Sequence, residues 1–183
     1  MYRYPFYILV CLLIGTGCNN TSTQKPKEST KISENLKDIT AKDIESLRFD
    51  DYALSDDSQK TLENWQKYHE LEDQIGYIHE ADFSFFSGEK GVLKTFINDF
   101  EAEMPESIKT APILARINAL ETMLLKLNSL LKLNNVDKAT RLSAVKEFLV
   151  AMSNLNLQIN KKFELEANLV EKDDSVEQQD DQK

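Results

Sequence analysis

The stretch ILARINALETMLLKLNSLLKL, residues 113–133, decides the fold. Ile113, Ile117, Leu120, Leu124, Leu127 and Leu131 recur at alternating intervals of four and three. That is the seam of an amphipathic helix packed on a partner. The partner follows at once in LSAVKEFLVAMSNLNLQINKKF, residues 142–163. There Leu142, Val145, Leu149, Met152, Asn156, Ile159 and Phe163 alternate at three and four. Between the two runs, Asn134 and Asn135 suit a helix C-terminus and Asp137 suits an N-cap. So short a connection predicts two antiparallel neighbours. Pairing outward from the turn matches Leu131 with Leu142, Leu127 with Val145, Leu124 with Leu149 and Leu120 with Met152. Ile117 then meets Asn156, and Ile113 meets Ile159. The residue numbers of each pair add to a constant to within one, so the seam keeps its alignment for roughly 30 Å.

Apolar residues also flank both seams: Leu114, Met123, Leu125, Leu130 and Leu133 on the first, Phe148, Leu155 and Leu157 on the second. A two-helix hairpin cannot cover them, and each Leu left in water forgoes about 1.5–3 kcal/mol of burial. Further helices must supply the cover. Val92, Leu93, Phe96, Ile97, Phe100 and Met104 predict one over 89–104, stopped by Pro105, which disfavours helical geometry at the residue before it. Leu62, Trp65, Tyr68, Leu71, Ile75 and Ile78 predict another over 57–82, with Ser55 as N-cap and Asp56 and Asp57 at the positive end of its dipole. Phe83, Phe85 and Phe86, before the Ser87–Gly88 turn, are expected to close one end of the core. Thr110 can cap the seam helix, whose first turn tolerates Pro112. The expected fold is therefore all-α: an antiparallel bundle of about four helices over residues 55–168. Residues 18–54 are expected to be a flexible linker, with a possible short helix where Thr40 and Asp43 resemble a capping pair. The acidic stretch 169–183 is expected to be disordered.

The N-terminus sets an address. Arg3 precedes an apolar run from Phe6 to Ile14, too short to span a bilayer at ~20 residues. Small residues Gly15, Thr16 and Gly17 then lead to Cys18. A charged start, a short apolar core and small residues are the parts of a signal peptide. LLIGTGC, residues 12–18, resembles the lipobox of bacterial lipoproteins, although Gly15 stands where an aliphatic residue is usual. The resemblance implies removal of residues 1–17 and acylation of Cys18. CNNTSTQKPKESTK, residues 18–31, is polar and suits a tether between lipid and domain. The Asn- and Lys-rich, Gly-poor style resembles uncharacterised lipoproteins of Bacteroidota. Asn19 is not the Asp that retains lipoproteins in the inner membrane of proteobacteria. The resemblance therefore implies the cell envelope, with the outer membrane preferred where there are two.

Composition limits the chemistry. The formal charge is −9, and losing Arg3 with the leader makes the mature chain one unit more negative. Such a chain repels nucleic acid and anionic lipid, so no nucleic-acid partner is expected and the lipid alone must hold the membrane. Cys11 leaves with the leader and Cys18 is consumed, which leaves no thiol for a disulfide, a zinc site or a nucleophile. His69 and His79 are ten residues apart, roughly 15 Å along one straight helix and on different faces, so they cannot share an ion. No His lies on the two seam helices to ligate a haem, and no G-x-S-x-G or phosphate loop occurs. No catalytic residue, metal or cofactor is expected. Asn156 stands out as polar on an apolar seam, near Ser153, Asn154 and Asn160 and opposite Asn118. It either sets helix register or marks a polar pocket for a small ligand or metal. The expected role is a non-enzymatic envelope lipoprotein docking a protein partner; the alternative is a ligand- or metal-binding bundle.

Overall fold

The computed structural model describes residues 39–180, with side chains described through residue 169. The leader, Cys18 and the tether as far as residue 38 lie outside the described residues. Among the described residues the fold is all-helical: α1 (Ala41–Glu45), α2 (Asp56–Leu62), α3 (Gln66–His79), α4 (Lys90–Ala102), a 3-10 turn at Glu106–Ile108, α5 (Ala111–Lys132) and α6 (Lys138–Asp180).

Helices α5 and α6 share the most extensive contact of any helix pair. All six expected seam residues of α5 are buried. On α6, Val145, Leu149, Met152, Asn156 and Ile159 are buried, while Leu142 and Phe163 are partly covered at the ends. Phe148 and Leu155 are buried too: the Phe148 ring packs edge-on against Phe86 with centroids 5.1 Å apart, and α2 also lies on α6. Leu133, expected beside the seam, is instead 45% exposed just past the end of α5. The Asp137 carboxylate caps α6, accepting from the Thr140 amide at 2.7 Å. Lys126 pairs with Glu147, and Arg141 Nη2 donates to the Leu133 carbonyl at 2.9 Å.

The helix expected over 57–82 is two helices. Trp65 sits between them with φ −87° and ψ 82°, outside helical geometry. Its indole is fully buried, 4.5 Å from the Phe100 ring centroid, and Nε1 donates to the Phe100 carbonyl at 2.8 Å. That carbonyl lies in the last turn of α4 and lacks an intrahelical donor. In return the Glu103 carboxylate, just past the end of α4, accepts from the Lys67 amide in the first turn of α3 at 3.3 Å. Two helix ends thus satisfy each other across the break at Trp65. On α4, Leu93, Phe96, Ile97 and Phe100 are buried with Met104 beyond it, but Val92 is 64% exposed and faces away from the core. Phe83 and Phe86 are buried and Phe85 is packed against the core, so all three join it.

Both expected tails need correction. Residues 39–54 are not a linker. Ile39 and Ile44 are each only 3% exposed, and Leu47, Phe49 and Leu54 pack on the same core. The Thr40–Asp43 capping box starts α1: the Thr40 amide donates to the Asp43 carboxylate at 2.8 Å, and the Asp43 amide donates to Thr40 Oγ1 at 3.3 Å. Lys138, in the first turn of α6, then reaches Asp43 at 2.7 Å. At the other end, the polar stretch from residue 169 continues α6 as helix to Asp180. Extending an existing helix costs little where no Gly or Pro interrupts it, even where no apolar face demands it.

Candidate functional site

The arm formed by residues 39–55 is fastened to α6 by a row of small polar side chains. Ser153, Asn156 and Asn160 are spaced three and four apart, so they share one face of the helix. Ser153 Oγ donates to the Asp50 carbonyl at 2.7 Å and accepts from the Tyr52 amide at 2.8 Å. Asn156 Nδ2 donates to the Tyr52 carbonyl at 3.1 Å. Asn160 Nδ2 donates to the Ala53 carbonyl at 2.8 Å, and its Oδ1 accepts from the Ser55 amide at 2.9 Å. Residues 50–55 form neither helix nor strand, so their backbone groups need partners from elsewhere. The row on α6 bonds five of them, and Gln59 Nε2 donates to the Leu54 carbonyl at 3.2 Å.

The remaining polar atom of Asn156 faces α3. Tyr68 is fully buried and its hydroxyl donates to Asn156 Oδ1 at 2.9 Å. Burial pushes the Tyr68 phenol far above its ordinary value, and the nearby Glu72 charge pushes it further. The hydroxyl is a neutral donor, not a proton carrier. A surface pocket of about 640 Å³ opens beside this pair, lined by Leu54, Leu62, Glu63, His69, Glu72 and Asn156 among others. His69 is engaged within it: Nδ1 lies 3.3 Å from Glu72, and Nε2 lies 3.1 Å from the Leu62 carbonyl, in the last turn of α2. His79 lines a different pocket, with Lys42, Glu45 and Asp51. The two histidines are not brought together. Among the described residues, no three His, Cys, Asp or Glu side chains are grouped as a metal site.

Of the residues flagged around Asn156, Ser153 and Asn160 join it, whereas Asn118 is exposed. What the sequence pattern did not indicate is the occupant of the row. FDDYALSDDS, residues 49–58, has the composition of a surface connection, and nothing in it marks a backbone destined for three side chains a hundred residues away. Asn128 was also missed. It is buried on α5 and donates twice through Nδ2, to the Phe86 carbonyl at 2.7 Å and the Gly88 carbonyl at 2.9 Å. The available signal was an amide side chain within the apolar run LKLNSLL, residues 125–131. Asn128 on α5 and Asn156 on α6 do the same work, since each amide holds an irregular segment whose backbone has no ladder.

Amides and a hydroxyl are neither acids nor bases near neutral pH, and these are used in holding backbone. The arrangement is suited to fixing the arm in place rather than to turning over a substrate. Comparison with family models, curated proteins and solved structures returns no match to this chain.

Proposed function

We propose that this protein is an envelope lipoprotein: a lipid on Cys18 anchors it, the polar tether projects it, and the helical domain docks a protein partner without catalysing a reaction. The observation that carries the anchor is the sequence LLIGTGC, a short apolar run and small residues leading into Cys18. Two or three acyl chains, at ~0.8 kcal/mol for each buried CH₂, suffice to hold an acidic chain that gains nothing from anionic headgroups. We place the ligand-binding alternative second: Asn156 lines the pocket beside His69 and Glu72, but both of its polar atoms already have protein partners. Metabolic labelling with palmitate should mark the wild-type chain, and Cys18→Ala should lose the label and leave the membrane fraction. An unlabelled wild-type chain would remove the anchor.

We also propose the architecture: an antiparallel bundle of about four helices, α5 and α6 forming its central pair. Two contacts support that pairing. Lys126 with Glu147 and Leu133 with Arg141 obey the same constant residue-number relation as the seam, to within one. A zero-length carbodiimide should therefore join Lys126 to Glu147. Linkage of Lys126 instead to carboxylates near residue 166 would sink the arrangement.

A further inference from the structure

The contacts of the arm fix where the chain enters the domain. Asp43 lies against Lys138, in the first turn of α6, at 2.7 Å. Further along the arm, Tyr52 bonds Ser153 and Asn156, and Ala53 and Ser55 bond Asn160. The arm therefore runs along α6 in the direction of that helix, and Ile39 lies at the N-terminal end of α6. Three other features gather at the same end. They are the α5–α6 turn, where Arg141 holds the Leu133 carbonyl; the end of α3, where His79 shares a pocket with Lys42 and Glu45; and the loop before α4, whose Gly88 carbonyl accepts from Asn128 and Lys132. At the opposite end α6 outruns its neighbours. Every side chain from 164 to 169 is exposed, and the helix continues to Asp180. From Lys138 to Asp180 it extends roughly 60 Å.

The point of attachment and the charge agree on which end faces a membrane. A lipid on Cys18 reaches the domain only through Ile39, so the chain between them bounds how far that end can stand from the bilayer. Helix α6 then adds up to roughly 60 Å to the distance of its tip. A charged helical surface does not enter hydrocarbon, so the freedom of the tip lies on the solvent side. In formal charge, residues 39–45, 79–90 and 132–141, which meet at the attached end, have six acidic and five basic residues. Residues 164–183 have eight acidic and two basic ones. An anionic lipid surface repels the free end more than the attached end once either comes within a screening length of about 10 Å. Resting on the lipoprotein reading proposed above, we infer that the anchor displays this domain in one orientation: the end built around the α5–α6 turn faces the lipid surface, and the overhang of α6 points away from it. A protein partner then meets the overhang first, clear of the bilayer.

The test uses the acylated full chain in vesicles of phosphatidylcholine and phosphatidylglycerol. One cysteine is introduced, by Asn135→Cys or Asn168→Cys, and carries a fluorescent donor; both positions are exposed. Under the lipoprotein reading the mature chain holds no other free thiol. Energy transfer to a rhodamine-labelled headgroup should be greater from N135C than from N168C by about twofold or more, since the two sites lie roughly 45 Å apart along α6. Equal transfer from the two sites, or greater transfer from N168C, overturns the orientation and leaves the anchor standing. A wild-type chain that takes up no palmitate, or a Cys18→Ala chain that stays in the membrane fraction, overturns the anchor itself and the orientation with it.

Discussion

Two regions of this protein are held to α6 by opposite physics. Helix α5 is held by a dry seam in which all six seam residues are buried and the charged pair Lys126–Glu147 lies at the edge. The arm at residues 50–55 is held by hydrogen bonds from Ser153, Asn156 and Asn160 to its backbone. The seam is stabilised by area removed from water, which accumulates over many side chains. The polar row contributes less per contact, about 0.5–1.5 kcal/mol net for each hydrogen bond, but it is costly to leave half made. The seam thus provides the greater part of the stability, and the row fixes where one irregular segment lies.

Substitutions at the two places should separate these contributions. Leu124→Ala removes a fully buried seam side chain and should cost about 2–5 kcal/mol, including the cavity left behind. Asn156→Ala leaves the Tyr68 hydroxyl and the Tyr52 carbonyl without the partner each has now, and should cost about 1–3 kcal/mol. Urea unfolding measures both. If Asn156→Ala proved as costly as Leu124→Ala, the polar row would be part of the core's stability and the contrast would collapse. A smaller effect is expected at the start of the arm. Lys138, and then Thr40, hold the Asp43 carboxyl down to about 2. A carboxyl depressed on folding contributes stability above its unfolded value near 4, and loses that contribution as pH falls through about 2. Asp82, Asp137 and Glu147 are lowered as well, each by its own hydrogen-bond partner. Stability should therefore fall between roughly pH 4 and pH 2. Asp43→Asn should flatten that fall slightly, and an unchanged slope would mean that the Asp43–Lys138 contact contributes nothing.

The same contrast explains what could be read in advance. Helix positions on the seam were legible because burial recurs with the period of the helix, so each residue repeats the information of its neighbours. Caps were legible where the side chain acts on backbone three residues away, as at Thr40, Ser55 and Asp137, whereas Thr110 stands at the N-cap of α5 without a side-chain cap bond. The break at Trp65 was not, because the local apolar spacing is compatible with one helix. The break places the Trp65 indole on the Phe100 carbonyl, a partner thirty-five residues further on that local spacing does not reveal. The arm was illegible for a similar reason, since Ile39 and Ile44 are too few to make a periodic signal and are buried by helices distant in sequence. Of the polar site, Asn156 was visible as an exception on an apolar face and Ser153 and Asn160 as its neighbours, but their bonding partners were not.

The sequence by itself determined that the described part of the chain is helical and which faces of its two longest helices are buried, because both properties follow from residue spacing along one element. The lipid proposed on Cys18 rests likewise on the few residues next to it. Only the tertiary structure decided that residues 57–82 break at Trp65, that the arm is packed and not a tether, and that Asn156 and Asn128 serve backbone segments far along the chain. Those outcomes turn on satisfying individual polar groups across long sequence separations. Such a requirement leaves no periodic trace in either of the segments that meet.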